Sequence, residues 1–565
     1  MLDRRQRSEN STGVLEAMDR RVLRMDPRDN LVIALVSIER GQRITVDGNA
    51  VDLISNVPEK HKFVTEDRAV GEEVRMYGIT VGKATKPIAK GEIVSTLNVT
   101  HATSGFHEKS RTYSWTAPDV SRWRSRTFLG YHRSDGQVGT RNYWLVVPLV
   151  FCENRNILAM KEAFEEELGF AAPRPYRRFV SDLVAGYRAG SSAPSQGAEA
   201  STPGWPANRV FANVDGIKFL IHQAGCGGTR EDADNLCGLL AGYINHPNVA
   251  GATVLSLGCQ HSQVEILQEQ VRKRNPRFSK PLHIFEQQKS ASESAMLFDA
   301  IRTTFHELVE ADRSTRREPA PLSKLRVGLK CGGSDGFSGI TANPVVGRIS
   351  DLIVSLGGAT VLSEFPELCG VEQDLIDRCV NDNVANRFIQ LMTDYAARAK
   401  AVRSAFDMNP SPGNIRDGLI TDAMKSAGAA RKGGSAPIAA VIDYPEYTQE
   451  QGLHLQCTPG NDVECVTAQV GAGANIVLFT TGLGTPTGNP VAPVVKIATN
   501  SELVRRMSDI IDFDTGPVLD GGTAIDDSAD ALLEQVVRIA SGEMSTKAEA
   551  LRQDDFIPWK RGVSL

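Results

Sequence analysis

No apolar stretch in these 565 residues reaches the roughly 18–20 residues needed to cross a bilayer. The start, Met1 to Gly13, is charged and has no apolar centre of the signal-peptide kind. These absences predict a cytoplasmic protein with no membrane partner. No long run of one charge sign occurs, and 63 basic against 68 acidic residues leave a net charge of −5, which argues against nucleic acid as a partner. The nine cysteines form no C-x-x-C pair, so neither a disulfide framework nor a zinc ribbon is expected in a chain this long. No G-x-G-x-x-G follows a strand pattern and no G-x-x-x-x-G-K-[ST] occurs, so dinucleotide and P-loop chemistry have no support. Apolar content of 41% and charged content of 23% suit a folded, globular chain of several domains.

The organising stretch is Leu329-Lys-Cys-Gly-Gly-Ser-Asp-Gly-Phe-Ser-Gly-Ile-Thr-Ala-Asn-Pro344. An apolar run, Leu325 to Leu329, reads as a buried strand, and Val345 to Leu356 reads as a helix with Pro344 near its first turn. Strand, glycine turn and helix N-terminus bring Lys330, Cys331, Ser334, Asp335 and Asn343 to the mouth of an α/β sheet. The same residue types also make an ordinary structural turn.

Residues 1–21 read as a flexible arm and 22–101 as a small β-rich domain, with strands at Leu31–Val36 and Gly91–Thr96. In that domain Lys60, His61 and Lys62 could together hold a carboxylate, and His61 could bind a metal. A linker spans 102–127. An α/β domain follows over 128–311, with a Gly/Ser/Ala/Pro-rich insertion near 187–208 expected to be disordered. Its rhythm of strand, glycine turn and helix predicts a parallel sheet. Arg141 and Asn142 precede its first strand, and the Arg141 guanidinium fork matches a carboxylate ligand. A surface hairpin with an internal ion pair is the plainer reading. His222, Cys226 and Cys259 fall in later glycine-rich turns. A charged linker at 312–324 leads to a C-terminal α/β domain, 325–565, that begins with the organising stretch.

In that last domain Glu364 and Glu367 stand three apart at a strand end, a spacing for metal binding, proton transfer or helix capping. Thr480 and Thr481 open a turn suited to hydroxyl or carboxylate recognition. Lys496, inside an apolar strand, is expected to need an anionic partner.

Met25-Asp-Pro-Arg-Asp-Asn-Leu-Val-Ile-Ala-Leu35, Lys60-His-Lys62, Tyr77-Gly-Ile-Thr-Val-Gly-Lys-Ala-Thr85 and Ile88-Ala-Lys-Gly-Glu92 resemble the SAF domain of altronate and galactarate dehydratases. Gly136–Asn142, Leu329–Pro344, Leu362–Gly370, Asn409–Asn414 and Asn475–Asn500 extend the resemblance over nearly the whole chain from residue 22. Two places depart from it. Val94-Ser-Thr-Leu-Asn98 replaces a Val-His-Thr-His-Asn form, and Gly460-Asn-Asp-Val-Glu464 replaces Gly-Tyr-Asp-Pro-Val.

The resemblance implies an α/β protein in which a small N-terminal β-clip (SAF-like) domain precedes two α/β Rossmann-like domains. It implies a hydro-lyase acting on a small sugar acid, with altronate first and galactarate dehydration or sulfolactate C–S cleavage as alternatives. It also implies a divalent metal, Fe2+ or Mn2+, with Mg2+ as a further option. Under this reading His61, Lys330, Glu364 and Glu367 are catalytic. Lys62, Arg141, Asn142, Ser334, Asp335, Asn343, Thr480, Thr481 and Lys496 bind substrate. His61, His222, Cys226, Cys259 and Cys331 are metal ligands, and an iron–sulfur cluster on Cys226, Cys259 and Cys331 is the minor alternative. A homo-oligomer is compatible with all of this.

Overall fold

Tight hairpins build the N-terminal domain of this computed structural model, which describes residues 19–171, 175–190, 209–447 and 450–564. Strands Arg43–Val46 and Asn49–Asp52 pair across Asp47-Gly48, and Glu73–Met76 pairs with Ile79–Ala84 across Tyr77-Gly78. Both central residues of each turn have positive φ, the twist that two-residue hairpins require. A further antiparallel sheet joins Val22–Leu23, Leu31–Ala34 and Lys62–Val64. The strand expected at Gly91–Thr96 is absent. Gly91 turns at φ +82° and Ser95–Asn98 closes a turn of its own, leaving one isolated bridge from Ile93 to Phe63. Residues 1–18 of the expected arm and 191–208 of the expected insertion lie outside the described residues. Tyr187 and Arg188 complete the helix Pro175–Arg188.

The second domain is a four-stranded parallel sheet in the order Gly216–Phe219, Tyr143–Pro148, Val249–Ser256, Leu282–Glu286. Its strand Tyr143–Pro148 is buried along its whole length, because parallel strands covered on both faces need apolar residues at every position. Helices Asn154–Glu167, Arg230–Asn245, Val264–Arg274 and Glu293–Ser314 cover it.

The expected linker at 312–324 contains strand Arg317–Pro321, which pairs antiparallel with Thr127–His132. Pro319 and Pro321 are tolerated because this is an edge strand.

The C-terminal domain is a seven-stranded parallel sheet. Its order is Ile438–Ile442, Gly452–Gln456, Ala359–Leu362, Arg326–Cys331, Ile476–Thr481, Val494–Ala498, Phe513–Asp514. The organising stretch therefore supplies the central strand, and helix Ala342–Ser355 follows it. Chain that leaves the centre of such a sheet at its carboxyl end enters the crevice where ligands bind. The N-terminal domain is packed onto this same region. Val64, Val74 and Val81 share a buried cluster with Leu419, Ile420 and Met424, and Ile33 packs with Phe337 and Ile340 of the organising stretch.

Candidate active site

The carboxyl end of the central strand carries a buried network of opposite charges. Lys330 and Glu364 are fully buried and in direct contact. Lys330 Nζ also lies 2.7 Å from Asp462. Lys432 Nζ donates to Glu364 Oε2 and to Cys331 Sγ, each at 2.9 Å. Lys425 Nζ lies 2.8 Å from Glu367. Three ammonium groups thus face three carboxylates, with the Cys331 thiol among them.

Local backbone geometry fixes these positions. Glu364 follows strand Ala359–Leu362 in the left-handed region, φ 70° and ψ 59°, a conformation that costs a non-glycine residue energy and persists where the surroundings enforce it. The Glu364 N–H donates to Thr458 Oγ1 at 2.9 Å, and its carbonyl accepts from Glu367 N–H at 2.7 Å. That turn aims both glutamates at the strand end.

The charges hold one another in place. Burial opposes the Lys330 ammonium, but Asp462 and Glu364 more than offset it, and its pKa is raised well above the usual lysine range. Burial likewise opposes the Glu367 carboxylate, and Lys425, Lys330 and Lys432 hold it down at about 2. Burial pushes the Cys331 thiol up to about 11 despite the nearby Lys432, so it carries its proton at neutral pH. Lys425 and Asp462 keep side-chain exposures of 10% and 28% while Lys330 and Glu364 keep none. Lys425 and Asp462 therefore mark the edge from which a ligand reaches the network.

Cys331 Sγ and carboxylate oxygens of Glu364 and Glu367 lie within 4.8 Å of one another, the one such group of three among the described residues. A thiol and two carboxylates suit a divalent transition metal. Lys425 and Lys432, which neutralise the carboxylates, are the groups that such an ion competes with.

The N-terminal domain reaches the same crevice. Lys60 Nζ lies 3.0 Å from Asp335 Oδ2 and 3.6 Å from Asp417, and Lys62 Nζ donates to the Gly418 carbonyl at 2.6 Å. Burial lowers the pKa of Lys62 to about 7. His61 is half-buried and stands 3.2 Å from the Glu59 carbonyl; burial lowers its pKa. Among the described residues it belongs to no converging ligand group.

Other expected site residues take internal partners. Asp335 accepts from Phe337 N–H, Ser338 Oγ, Thr499 Oγ1 and Lys60. The Ser334 carbonyl accepts from Asn414 Nδ2 at 2.8 Å. Thr480 Oγ1 donates to Asn343 Oδ1 at 2.7 Å, while Asn343 Nδ2 donates to the Gly428 carbonyl. Thr481 Oγ1 accepts the N–H groups of Gly484 and Thr485. These side chains fasten the loops around the crevice. Lys496 has no ion-pair partner among the described residues, contrary to expectation. It contacts the Thr487 carbonyl and sits 3.5 Å from the centre of the Phe479 ring, and burial brings its pKa to about 7.

Four further expectations are corrected. Arg141 is wholly buried and presents its guanidinium not to a ligand but to Glu549, at 2.7 and 2.9 Å, and to the Thr140 and Ile539 carbonyls. Asn142 Nδ2 is held by the Asn213 carbonyl and Thr315 Oγ1. His222 is buried between the Pro148 carbonyl and the Ala224 N–H, with its pKa lowered to about 4 by burial. Cys226 and Cys259 are exposed at the end of the other parallel sheet, whereas Cys331 is enclosed by Lys432, Glu364 and Glu367. The three-cysteine set therefore does not assemble.

The comparisons with known proteins agree over nearly the whole chain. Residues 20–102 match the family model "Altronate/galactarate dehydratase SAF domain", 130–312 match "D-galactarate dehydratase/Altronate hydrolase, second domain", and 322–564 match "D-galactarate/Altronate dehydratase, C-terminal". The chain is 32% identical over 543 residues to the altronate dehydratase of Bacillus subtilis (strain 168), covering 96% of this chain and 99% of the relative. This chain belongs to the altronate/galactarate dehydratase family. The altronate dehydratase of Escherichia coli (strain K12) is also 32% identical, covering 95% of this chain and 98% of that protein. The E. coli galactarate dehydratase (L-threo-forming) is 29% identical over 88% of each chain. The family places the chain among hydro-lyases that dehydrate sugar acids. Among the described residues no helix is long and apolar enough to cross a membrane.

Within this dehydratase, the sequence reading missed Lys432, Lys425 and Asp462 as parts of the charge network. Gly460–Glu464 was marked only as a departure from the family pattern, and Lys425 and Lys432 carried no site reading, because a buried lysine and a surface lysine look alike in sequence.

Proposed function

We propose that this chain dehydrates D-altronate to a 2-keto-3-deoxy acid. The observation that carries the reading is the direct contact of Lys330 with Glu364 in a buried, charge-balanced network. Loss of water across C2 and C3 needs a base for the C2 proton and an acid for the departing C3 hydroxyl. Glu364 takes the C2 proton. Lys330, held protonated, gives its proton to the leaving oxygen, and water departs. The proton on Glu364 then returns to Lys330 across their contact, which resets the pair, and the enol product ketonises. Lys425 and Lys432 face the negative charge that develops on the acid's enediolate.

Cys331, Glu364 and Glu367 would hold a divalent ion, Fe2+ or Mn2+ by donor type. When bound, such an ion supplies Lewis-acid stabilisation of that developing charge. Lys60, His61 and Lys62 of the SAF domain close the crevice and exclude water from it.

The test is turnover of a panel of aldonates and aldarates by metal-free protein, with ferrous iron, manganese or magnesium restored anaerobically. Metal-dependent keto-deoxy product from altronate supports the proposal. Product from galactarate alone changes the substrate and keeps the chemistry. No product from any acid with any metal refutes it.

A further inference from the structure

Six of the nine cysteines are buried, and the three exposed ones, Cys152, Cys226 and Cys259, all follow strands of the second domain. Cys152 follows Tyr143–Pro148, Cys226 follows Gly216–Phe219 and Cys259 follows Val249–Ser256. These strands are adjacent and parallel, with Tyr143–Pro148 in the middle. Each cysteine thus leaves the same, carboxyl end of one sheet, where α/β folds place their ligands.

Hydrogen bonds hold the three loops together close to the thiols. Phe151 N–H donates to the Ala224 carbonyl at 3.1 Å, and His261 N–H donates to the Gly225 carbonyl at 3.0 Å. Ser262 Oγ donates to the Leu149 carbonyl, at 2.5 Å, and lies 3.1 Å from the Gly225 carbonyl. Gly225 has φ +102°, and a Cβ there would stand 2.5 Å from the Leu149 carbonyl oxygen and 2.7 Å from Val150 Cα. Only glycine allows so close an approach of the Cys226 loop to the Cys152 loop. Gly258, just before Cys259, turns at φ +117°. A cleft opens here, lined by Gly225, Cys226, Thr229, His261 and Trp559.

We infer that Cys152, Cys226 and Cys259 bind a [4Fe–4S] cluster in the second domain, ligating three irons and leaving the fourth open to the cleft. Thiolates are the ligands such clusters take. A single tetrahedral ion, with metal–sulfur bonds of about 2.3 Å, needs its sulfurs roughly 4 Å apart. The three sulfurs do not all fall within 4.8 Å of one another, a spread too wide for one tetrahedral ion, and a cluster takes thiolates at wider spacing. Assembly balances. Two ferrous and two ferric ions with four sulfides give a core of charge 2+, and each thiol releases one proton to the buffer. The site is separate from the Cys331, Glu364, Glu367 group and goes beyond the proposed dehydration.

The test is anaerobic reconstitution of the full-length protein with sulfide and equal parts ferrous and ferric iron. Protein-bound iron and acid-labile sulfide are then counted after desalting. About four of each per chain, with a visible sulfur-to-iron absorption band and an EPR signal on reduction, are expected. Cys152→Ser, Cys226→Ser and Cys259→Ser should each cut both counts at least fivefold with an unchanged circular dichroism spectrum. Cys331→Ala should retain the acid-labile sulfide and the absorption band. No acid-labile sulfide on the protein, or loss of the sulfide and the absorption band in Cys331→Ala, would overturn the assignment. None of these readouts depends on turnover.

Discussion

Arg141→Ala separates a structural arginine from a substrate-binding one. The side chain is wholly buried and forms a two-pronged ion pair with Glu549. Its pairing with Glu549 and its contact with the Ile539 carbonyl link the second domain to the C-terminal one, and it also donates to the neighbouring Thr140 carbonyl. Burial opposes the Glu549 carboxylate, yet Arg141 keeps its pKa below the usual glutamate range. Alanine would leave that carboxylate buried and uncompensated, a change that costs about 3–5 kcal/mol. Urea unfolding of wild type and variant measures it. A group with a depressed folded pKa adds stability above its unfolded pKa and loses it as pH falls through the folded one. The difference between the two proteins should therefore be full at neutral pH and shrink in acid. The double variant Arg141→Met, Glu549→Leu should recover much of the loss, since apolar groups can replace a buried pair. KM for the sugar acid should stay within about twofold for the folded variant, because the buried guanidinium is already occupied by Glu549 and the Thr140 and Ile539 carbonyls. An unchanged unfolding midpoint with a tenfold higher KM would refute this reasoning and restore Arg141 to the substrate site.

Glu364→Gln and Lys330→Met should each lower kcat by about 10²–10⁴-fold, the usual share of a general acid or base, in rapid-mixing assays of folded protein; a loss below threefold would remove that residue from proton transfer. Gly418→Ala should loosen the SAF domain, because Gly418 has φ +86° and a Cβ there would meet the Lys60 carbonyl oxygen at 2.2 Å. Limited proteolysis should then cleave near residue 102 sooner, and equal cleavage rates would contradict the docking. Lys496 titrates near 7 in the folded chain against about 10.4 unfolded, so the unfolded chain binds more protons between those values and stability rises with pH there. Lys496→Met should flatten that rise in denaturation curves, and an unchanged slope would count against it.

What was legible in the sequence follows from which signals are local. The strand beginning near Leu325 and the helix beginning near Val345 were readable because apolar period and glycine turns act over a few residues. The strand Arg317–Pro321 was not, because its partner lies about 190 residues earlier and its prolines argue against a strand in isolation. Glu364, Glu367, Lys330 and Cys331 were readable as strand-end residues, and the fold joined them. Lys432 and Lys425 escaped because their roles depend on which distant carboxylate they meet. The same logic separates the cysteines. Sequence spacing grouped Cys331 with Cys226 and Cys259, since each sits in a glycine-rich turn. Strand adjacency instead groups Cys152 with Cys226 and Cys259, since their three strands neighbour one another in a sheet that Cys331 does not enter. Cys152 lacks a flanking glycine, so no local signal marked it. A residue's chemistry in an α/β fold is set by the strand that delivers it, and strand order is the property that a single sequence carries least directly.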